Sequence, residues 1–237
     1  MIYLYSGTPG SGKSLHIARM IYNSLGAGYA CICNFQIDLN KIHRNNGKFC
    51  YRDNEELTPS FLRAYSDSYF SELNLTVRKK EGRLLLFIDE AQLLFNARDW
   101  GQKGRNDWLS FFTQHRHLGY DIFLVAQFDR MLDRQIRSLI EYEYIHRKVN
   151  NFGKAGKILG ILTLGQLFCC VKVWYPMKEK VGSEFFKCHK KYYSLYDTHI
   201  IFGQELQKPA PPETDATQDG DMGTPPSSGR PEGVAYT

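Results

Sequence analysis

A short segment near the amino terminus combines residue types that together bind phosphate groups. The segment contains three glycines and ends in a lysine, a serine and a leucine. Its residues are Gly7, Thr8, Pro9, Gly10, Ser11, Gly12, Lys13, Ser14 and Leu15. Glycines at these positions let successive backbone N–H groups point into one concavity, where phosphate oxygens fit. Lys13 can then reach the outer phosphates, and the Ser14 hydroxyl can bind Mg²⁺. The spacing therefore predicts a site for ATP and Mg²⁺.

A pair of acidic residues follows a continuous apolar run. Residues 84–88 are all apolar, and Asp89 and Glu90 come directly after them. Continuous apolarity predicts a strand buried on both faces, and the carboxyl end of such a strand lies beside the phosphate loop in an open α/β sheet. There we expect Asp89 to hold Mg²⁺, directly or through a water, and Glu90 to act as a general base toward an attacking water. The alternative is that Asp89 only caps a helix after the strand.

Two further positions are candidates for the catalytic step. Gln127 follows the apolar residues 122–126 and would lie near the γ-phosphate, where its amide could orient water. The alternative is an ordinary polar residue at a strand end. Hydrolysis in oligomeric motors often needs an arginine near the phosphates, supplied by the same subunit or a neighbour. Arg116 is the candidate taken here, and three other arginines, each of which could equally be a solvated or interface charge, are Arg130, Arg134 and Arg137.

Alternating apolar strands and amphipathic helices must position these residues. The predicted strands cover residues 2–6, 29–35, 84–88, 120–126 and 143–149, with one or two more in 162–175, and the predicted helices cover 14–25, 54–65 and 106–117. Residues 132–142 form a basic amphipathic segment, whereas 36–80 are otherwise mixed and polar and 181–199 are aromatic and basic. This order predicts an α/β P-loop NTPase fold: a mostly parallel sheet with helices on both faces and extra strands near the carboxyl-terminal end of the domain.

Composition divides the chain of 237 residues into two parts. From residue 208 onward proline, glycine and small polar residues dominate, and such a segment cannot bury enough apolar surface to fold. We therefore expect an ATPase domain over residues 1–205 and a disordered tail over 206–237. The net charge is +5, and because acids exceed bases in the tail, the remainder is more basic. That bias is compatible with a phosphate-rich or anionic partner.

Cysteine usage and hydropathy predict the compartment. None of the six cysteines lies in a Cys-x-x-Cys spacing, which favours reduced thiols and a cytoplasmic protein, with a zinc site at Cys188 and His189 as an open alternative. The longest apolar stretch, 158–171, is interrupted by glycines and is shorter than the ~20 residues of a membrane-spanning helix. We therefore expect no transmembrane segment, and no signal peptide because the first strand begins at residue 2.

The motifs together resemble a known family. The phosphate loop, residues 87–92 and residues 116–121 leading to Gln127 resemble the zonular occludens toxin (Zot) domain, shared with filamentous-phage assembly ATPases, over about residues 1–200. The resemblance implies an ATPase of the FtsK–HerA type that works as a homo-oligomeric ring and drives extrusion of single-stranded phage DNA, or its protein complex, during virion assembly.

The same resemblance bears on location. It implies work in the host cytoplasm at the inner face of the cell membrane. Family members usually carry a membrane-spanning helix after this domain, where the present sequence has its Pro/Gly-rich tail. Attachment is therefore expected to come from a membrane-embedded assembly partner.

Two other functions remain open from the residues alone. A P-loop kinase of a small molecule would use the polar stretch 36–80 as a lid and would act as a monomer. A nucleotide-gated scaffold would bind ATP without turnover, although Glu90 argues against it.

Overall fold

The computed structural model describes residues 1–74, 80–98, 104–151, 163 and 166–195. All of them lie in one compact unit, Met1–Gln204. The predicted tail, residues 206–237, lies outside the described residues, so the division of the chain at 205/206 stays a prediction.

The described strands form one mixed sheet. They are β1 (Ile2–Ser6), β2 (Ala30–Cys33), β3 (Lys48–Tyr51), β4 (Leu84–Ile88), β5 (Tyr120–Val125), β6 (Tyr142–Lys148), β7 (Leu167–Trp174) and β8 (Glu179–Lys187). Their order across the sheet is β3-β2-β4-β5-β1-β6-β7-β8. The first six strands in this order are parallel, and β7 and β8 extend the sheet by antiparallel pairing. The parallel sheet with extra strands near the carboxyl-terminal end confirms the prediction.

Helices cover both faces of the sheet, as predicted. They are α1 (Lys13–Gly26), α2 (Pro59–Glu72), α3 (Arg105–Gln114), α4 (Arg134–Arg137) and α5 (Lys190–Tyr193). Side chains of β4 alternate between two cores: Leu86 packs with α2, α3 and α4, whereas Phe87 packs with α1 and α5. Burial of β4 on both faces explains its continuous apolar sequence. Within the described ranges, no helix has the length and apolar character needed to cross a membrane.

The structure differs from the sequence-based predictions in the start of one helix and in two additional strands. The helix predicted at 54–65 instead begins at Pro59, because Thr58 caps it by accepting a hydrogen bond from the Phe61 N–H at 3.2 Å and proline is favoured in the first helical turn. Strands β3 and β8 were not predicted. Both lie at the edges of the sheet. β3 has only four residues, one exposed and three half-buried, and β8 exposes most of its side chains, so neither shows the long apolar run of a strand buried on both faces. The basic amphipathic segment 132–142, for which no secondary structure was predicted, contains α4.

A buried pair of histidines joins α1 to β6. Nδ1 of His16 lies 2.8 Å from Nε2 of His146, and Nδ1 of His146 lies 2.8 Å from the Tyr144 carbonyl oxygen. Because a carbonyl can only accept, His146 is protonated on Nδ1 and its Nε2 accepts a hydrogen bond from His16. Burial lowers the pKa of His16 to about 4 and that of His146 to about 3. Both rings are therefore neutral in the folded protein at pH 7.

We predict that this pair makes stability fall below pH 6.5. A histidine whose folded pKa is depressed stabilises the fold above its unfolded pKa of about 6.5 and loses that contribution as the pH falls. At pH 5 the loss is about 2 kcal/mol per histidine. Urea unfolding of His146→Gln should show a smaller decrease between pH 7.5 and pH 5 than the wild type, whereas the exposed-site control His117→Gln should match the wild type. An equal decrease in wild type and His146→Gln would contradict this account.

Candidate nucleotide-binding and catalytic site

The glycine-rich segment forms an open loop between β1 and α1. Gly7, Gly10 and Gly12 have φ angles of 142°, 72° and 97°, values that glycine adopts without strain. A Cβ on Gly7 would lie 2.5 Å from the carbonyl oxygen of His146, so no larger residue fits there. Helix α1 begins at Lys13 without a side-chain cap. No capping side chain therefore accepts from its first backbone N–H groups, which is the condition for an anion site at the start of a helix.

The Lys13 side chain lies within this loop. Its Nζ donates hydrogen bonds to the carbonyl oxygens of Gly7, at 2.6 Å, and Thr8, at 3.3 Å. Burial lowers the pKa of Lys13, while the negative charges of Asp89 and Glu90 act in the opposite direction. The ammonium group thus lies in the phosphate concavity and within electrostatic range of the two predicted acids.

A buried asparagine fixes the backbone of Asp89. The Oδ1 of Asn34 accepts a hydrogen bond from the Asp89 N–H at 2.7 Å, and its Nδ2 donates to the Asp89 carbonyl at 2.9 Å and to Oδ1 of Asn54 at 2.8 Å. Asn34 follows β2 directly and has no exposed surface. Sequence analysis missed it, although its position after an apolar strand was the available signal. The clamp orients Asp89 at the end of β4.

Glu90 adopts a left-handed backbone conformation. Its φ and ψ are both 47°, which is uncommon for a residue with a side chain and recurs at functional sites. The Glu90 N–H donates to Oδ1 of Asp89 at 2.9 Å, and Nε2 of Gln92 donates to the Glu90 carboxylate. A short 3₁₀ turn follows, without a side-chain cap. The Asp89 side chain therefore does not cap this turn, in contrast to the alternative interpretation, and its role as a magnesium ligand stays a prediction.

Gln127, like Asp89 and Glu90, lies at the edge of the sheet formed by the carboxyl ends of the parallel strands. Its carbonyl oxygen accepts a hydrogen bond from the Gly7 N–H at 3.1 Å, so the end of β5 is tied to the start of the phosphate loop. The strands β4, β5 and β1 are adjacent and parallel. Their carboxyl ends carry Asp89 with Glu90, Gln127, and the loop, respectively, and the structure thus brings these predicted residues to one edge.

Arg116 lies at the opposite end of the strands from the phosphate loop of its own chain, so a role at the phosphates of a neighbouring subunit is the part of the expectation that stays a prediction. Its Nη2 donates to Oε2 of Glu141 at 2.6 Å, and Oε1 of Glu141 accepts from the Ile2 N–H at 3.2 Å. Ile2 begins β1, so this pair is a strand length, about 17 Å, from the loop. Arg130, by contrast, lies three residues after Gln127 and lines a cavity of about 620 Å³.

The donor types at the edge fit a magnesium–nucleotide complex. The loop offers backbone N–H groups and one ammonium group for phosphate oxygens, and Ser14 and Asp89 supply the hard oxygen ligands that Mg²⁺ prefers. Among the described residues, the histidine and cysteine side chains spaced to hold a metal are a different set, His16, His146 and Cys170, and all three are buried. Within the part of the chain that the structure describes, Cys188 and His189, the zinc alternative, do not belong to such a group.

The chain is similar in sequence to two phage proteins and in fold to a solved structure. The chain is 26% identical over 223 residues to the Gene 1 protein of Enterobacteria phage I2-2, covering 89% of this chain and 60% of the relative. It is 29% identical over 152 residues to the Gene 1 protein of Enterobacteria phage M13, covering 61% and 41%. The chain thus spans about half the length of these relatives. A solved ATPase domain shares the fold, with a TM-score of 0.53 at 10% identity over 83% of this chain and 84% of that one.

A family model covers most of the chain. The model for zonular occludens toxin (Zot) matches residues 1–200, a range that contains the loop, Asp89, Glu90 and Gln127. The chain therefore belongs to the zonular occludens toxin (Zot) family.

Proposed function

We propose that this chain hydrolyses ATP and that the hydrolysis drives filamentous-phage morphogenesis. The observation that carries the proposal is the convergence of the Lys13 loop and the Asp89–Glu90 turn at one edge of three adjacent parallel strands. This pairing of a phosphate cradle with two carboxylates suits phosphoryl transfer to water.

Each residue has a distinct task in the proposed reaction. Ser14 and Asp89 would hold Mg²⁺, which would supply positive charge to offset the negative charge of the phosphates. Lys13 and the loop N–H groups hold the triphosphate, and Gln127 orients a water beside the γ-phosphorus. Glu90 accepts a proton from that water. As it does so, the oxygen of the water bonds to the γ-phosphorus, and the bond between the γ-phosphorus and the oxygen that bridges it to the β-phosphate breaks. The products are ADP and inorganic phosphate.

The described geometry favours hydrolysis over the kinase alternative. The kinase alternative would use residues 36–80 as a lid, but there β3 pairs with β2, and α2 contributes Leu62 and Phe70 to the core. A segment anchored in this way supports the sheet. Without a lid among the described residues of this stretch to enclose a small molecule, we take water, which Glu90 and Gln127 would activate, as the acceptor of the phosphoryl group.

The cellular role rests on the relatives. Matches to Gene 1 proteins of phages support a part in phage assembly, and we propose export of single-stranded DNA by a homo-oligomeric ring. Leu93 and Phe128, which are 59% and 55% exposed at the catalytic edge, offer apolar surface for contact between subunits. We place the protein in the host cytoplasm, held at the inner face of the membrane by a membrane-embedded partner.

Replacing Lys13 tests the nucleotide site directly. Lys13→Ala should reduce phosphate release from ATP by about 100-fold or more, because the variant lacks the fixed charge that stabilises the phosphates. Lys180→Ala, which alters an exposed lysine of β8, is the matched control and should hydrolyse ATP as the wild type does. Unchanged turnover in Lys13→Ala would contradict the assignment.

Single-stranded DNA tests the motor function. Phosphate release by the purified full chain should increase several-fold with single-stranded DNA and less with duplex DNA, and ATP should shift the mass in solution to a multiple of the monomer. A monomer whose turnover is indifferent to DNA would contradict the motor. Transfer of phosphate to a small acceptor would support the kinase instead, and tight ATP binding without release would support the scaffold.

A further inference from the structure

A cavity extends from the phosphate loop along one side of α1. Its volume is about 380 Å³, within the range of small-molecule sites. Beyond the loop it is lined by Leu15, Ala18, Phe168, Cys188, Tyr192 and Tyr193. The lining is apolar and aromatic, in contrast to the polar loop that it adjoins.

Two of the aromatic walls are fixed by packing. The Phe168 ring stacks on Phe186 with centroids 5.7 Å apart and lies so close to Gly12 that a Cβ there would be 2.6 Å from the ring. Tyr192 is buried and packs edge-on against Tyr22 at 5.4 Å. The rings of Phe168 and Tyr192 therefore line the cavity in fixed positions.

The third wall is an exposed aromatic ring. Tyr193 is 64% exposed although it lines the cavity. The segment that carries it is anchored, because the Ser194 carbonyl accepts from Lys41 Nζ at 2.8 Å and the Leu195 carbonyl accepts from the Asp38 N–H at 3.1 Å. A fixed backbone therefore presents an uncovered ring at the rim.

Strand order sets the direction of a bound triphosphate. Asp89 and Glu90 follow β4, on one side of β1, whereas Phe168 belongs to β7, on the other side. The γ-phosphate must face the acids, so the nucleoside end points across Ser14 toward β7. That end meets the aromatic cavity.

We propose that this cavity binds the base and ribose of the nucleotide, with the base stacked on Tyr193 and Phe168. The inference rests on the proposed function, since the phosphates must occupy the loop. Stacking tolerates any purine because each presents a π-face. The described lining residues beyond the loop carry no charged or amide side chain that would read a base edge. ATP and GTP therefore bind with affinities within a few-fold of each other, and pyrimidine nucleotides bind less tightly.

A comparison of ATP with inorganic tripolyphosphate, which has the phosphates but no base or ribose, separates the contribution of the base to binding from that of the phosphates. In the full chain with Mg²⁺, Tyr193→Ala should weaken ATP binding about 10-fold and leave tripolyphosphate binding unchanged, whereas Tyr193→Phe should bind both like the wild type. Phe185→Ala removes an equally exposed aromatic outside the cavity and is the control. Unchanged ATP affinity in Tyr193→Ala, or equal loss of both ligands, would overturn the base pocket. A wild-type protein that binds neither ligand would instead refute the proposed function.

Cys188 gives an independent readout. Its half-buried thiol lines the cavity, and the half-buried thiol of Cys50, on β3, serves as an internal control. ATP should slow iodoacetamide labelling of Cys188, measured by peptide mass spectrometry, without changing the labelling of Cys50, and tripolyphosphate should protect neither. Equal protection of Cys188 by both ligands, or protection by neither, would overturn the proposal.

Discussion

Parallel pairing of β4, β5 and β1 is the constraint on which the site depends. Because all three strands run the same way and their registers match, with Ile88 beside Leu124 and Tyr5 beside Val125, the residues that follow each strand emerge together. Two acids, a glutamine and a phosphate loop, widely separated in sequence, thereby meet at one edge. The hydrogen bond from Gly7 to the Gln127 carbonyl closes this edge. A register slip of one residue would turn the acids toward the opposite face.

Buried polar groups hold the site residues in position after the strands have brought them together. The Asn34 side chain accepts a hydrogen bond from the Asp89 N–H and donates one to the Asp89 carbonyl oxygen. In a low-dielectric interior, a hydrogen-bond network whose groups are all paired favours one geometry. His146 acts similarly below the loop, where its carbonyl restricts residue 7 to glycine and its ring bonds to His16 of α1. The loop is thus held from β6 and from its own helix, while its concave side stays open to phosphate.

The sequence predicted the parts of the site that depend on local pattern. Gly7–Ser14 has fixed spacing, and the acids follow a strand whose burial on both faces requires continuous apolar residues, so both were predictable. Asn34 is a single polar residue whose role exists only through contacts to residues far along the chain. Strand β8 forms by pairing with β7 and exposes most of its side chains, so it shows little apolar pattern. Arg116 lies four residues before β5 begins, so the direction of that strand already places it at the amino end, away from the phosphate loop; only its ion pair with Glu141 could not be predicted.

The central claim is that binding and hydrolysis of ATP depend on different residues at one edge of the sheet. Glu90→Gln tests it most directly, since the amide keeps the size and backbone of the turn but cannot accept the proton of water. ATP binding should stay within about two-fold of the wild type while phosphate release falls about 100-fold, and Glu179→Gln, on exposed β8, should change neither. Phosphate release by Glu90→Gln at the wild-type rate would contradict the account.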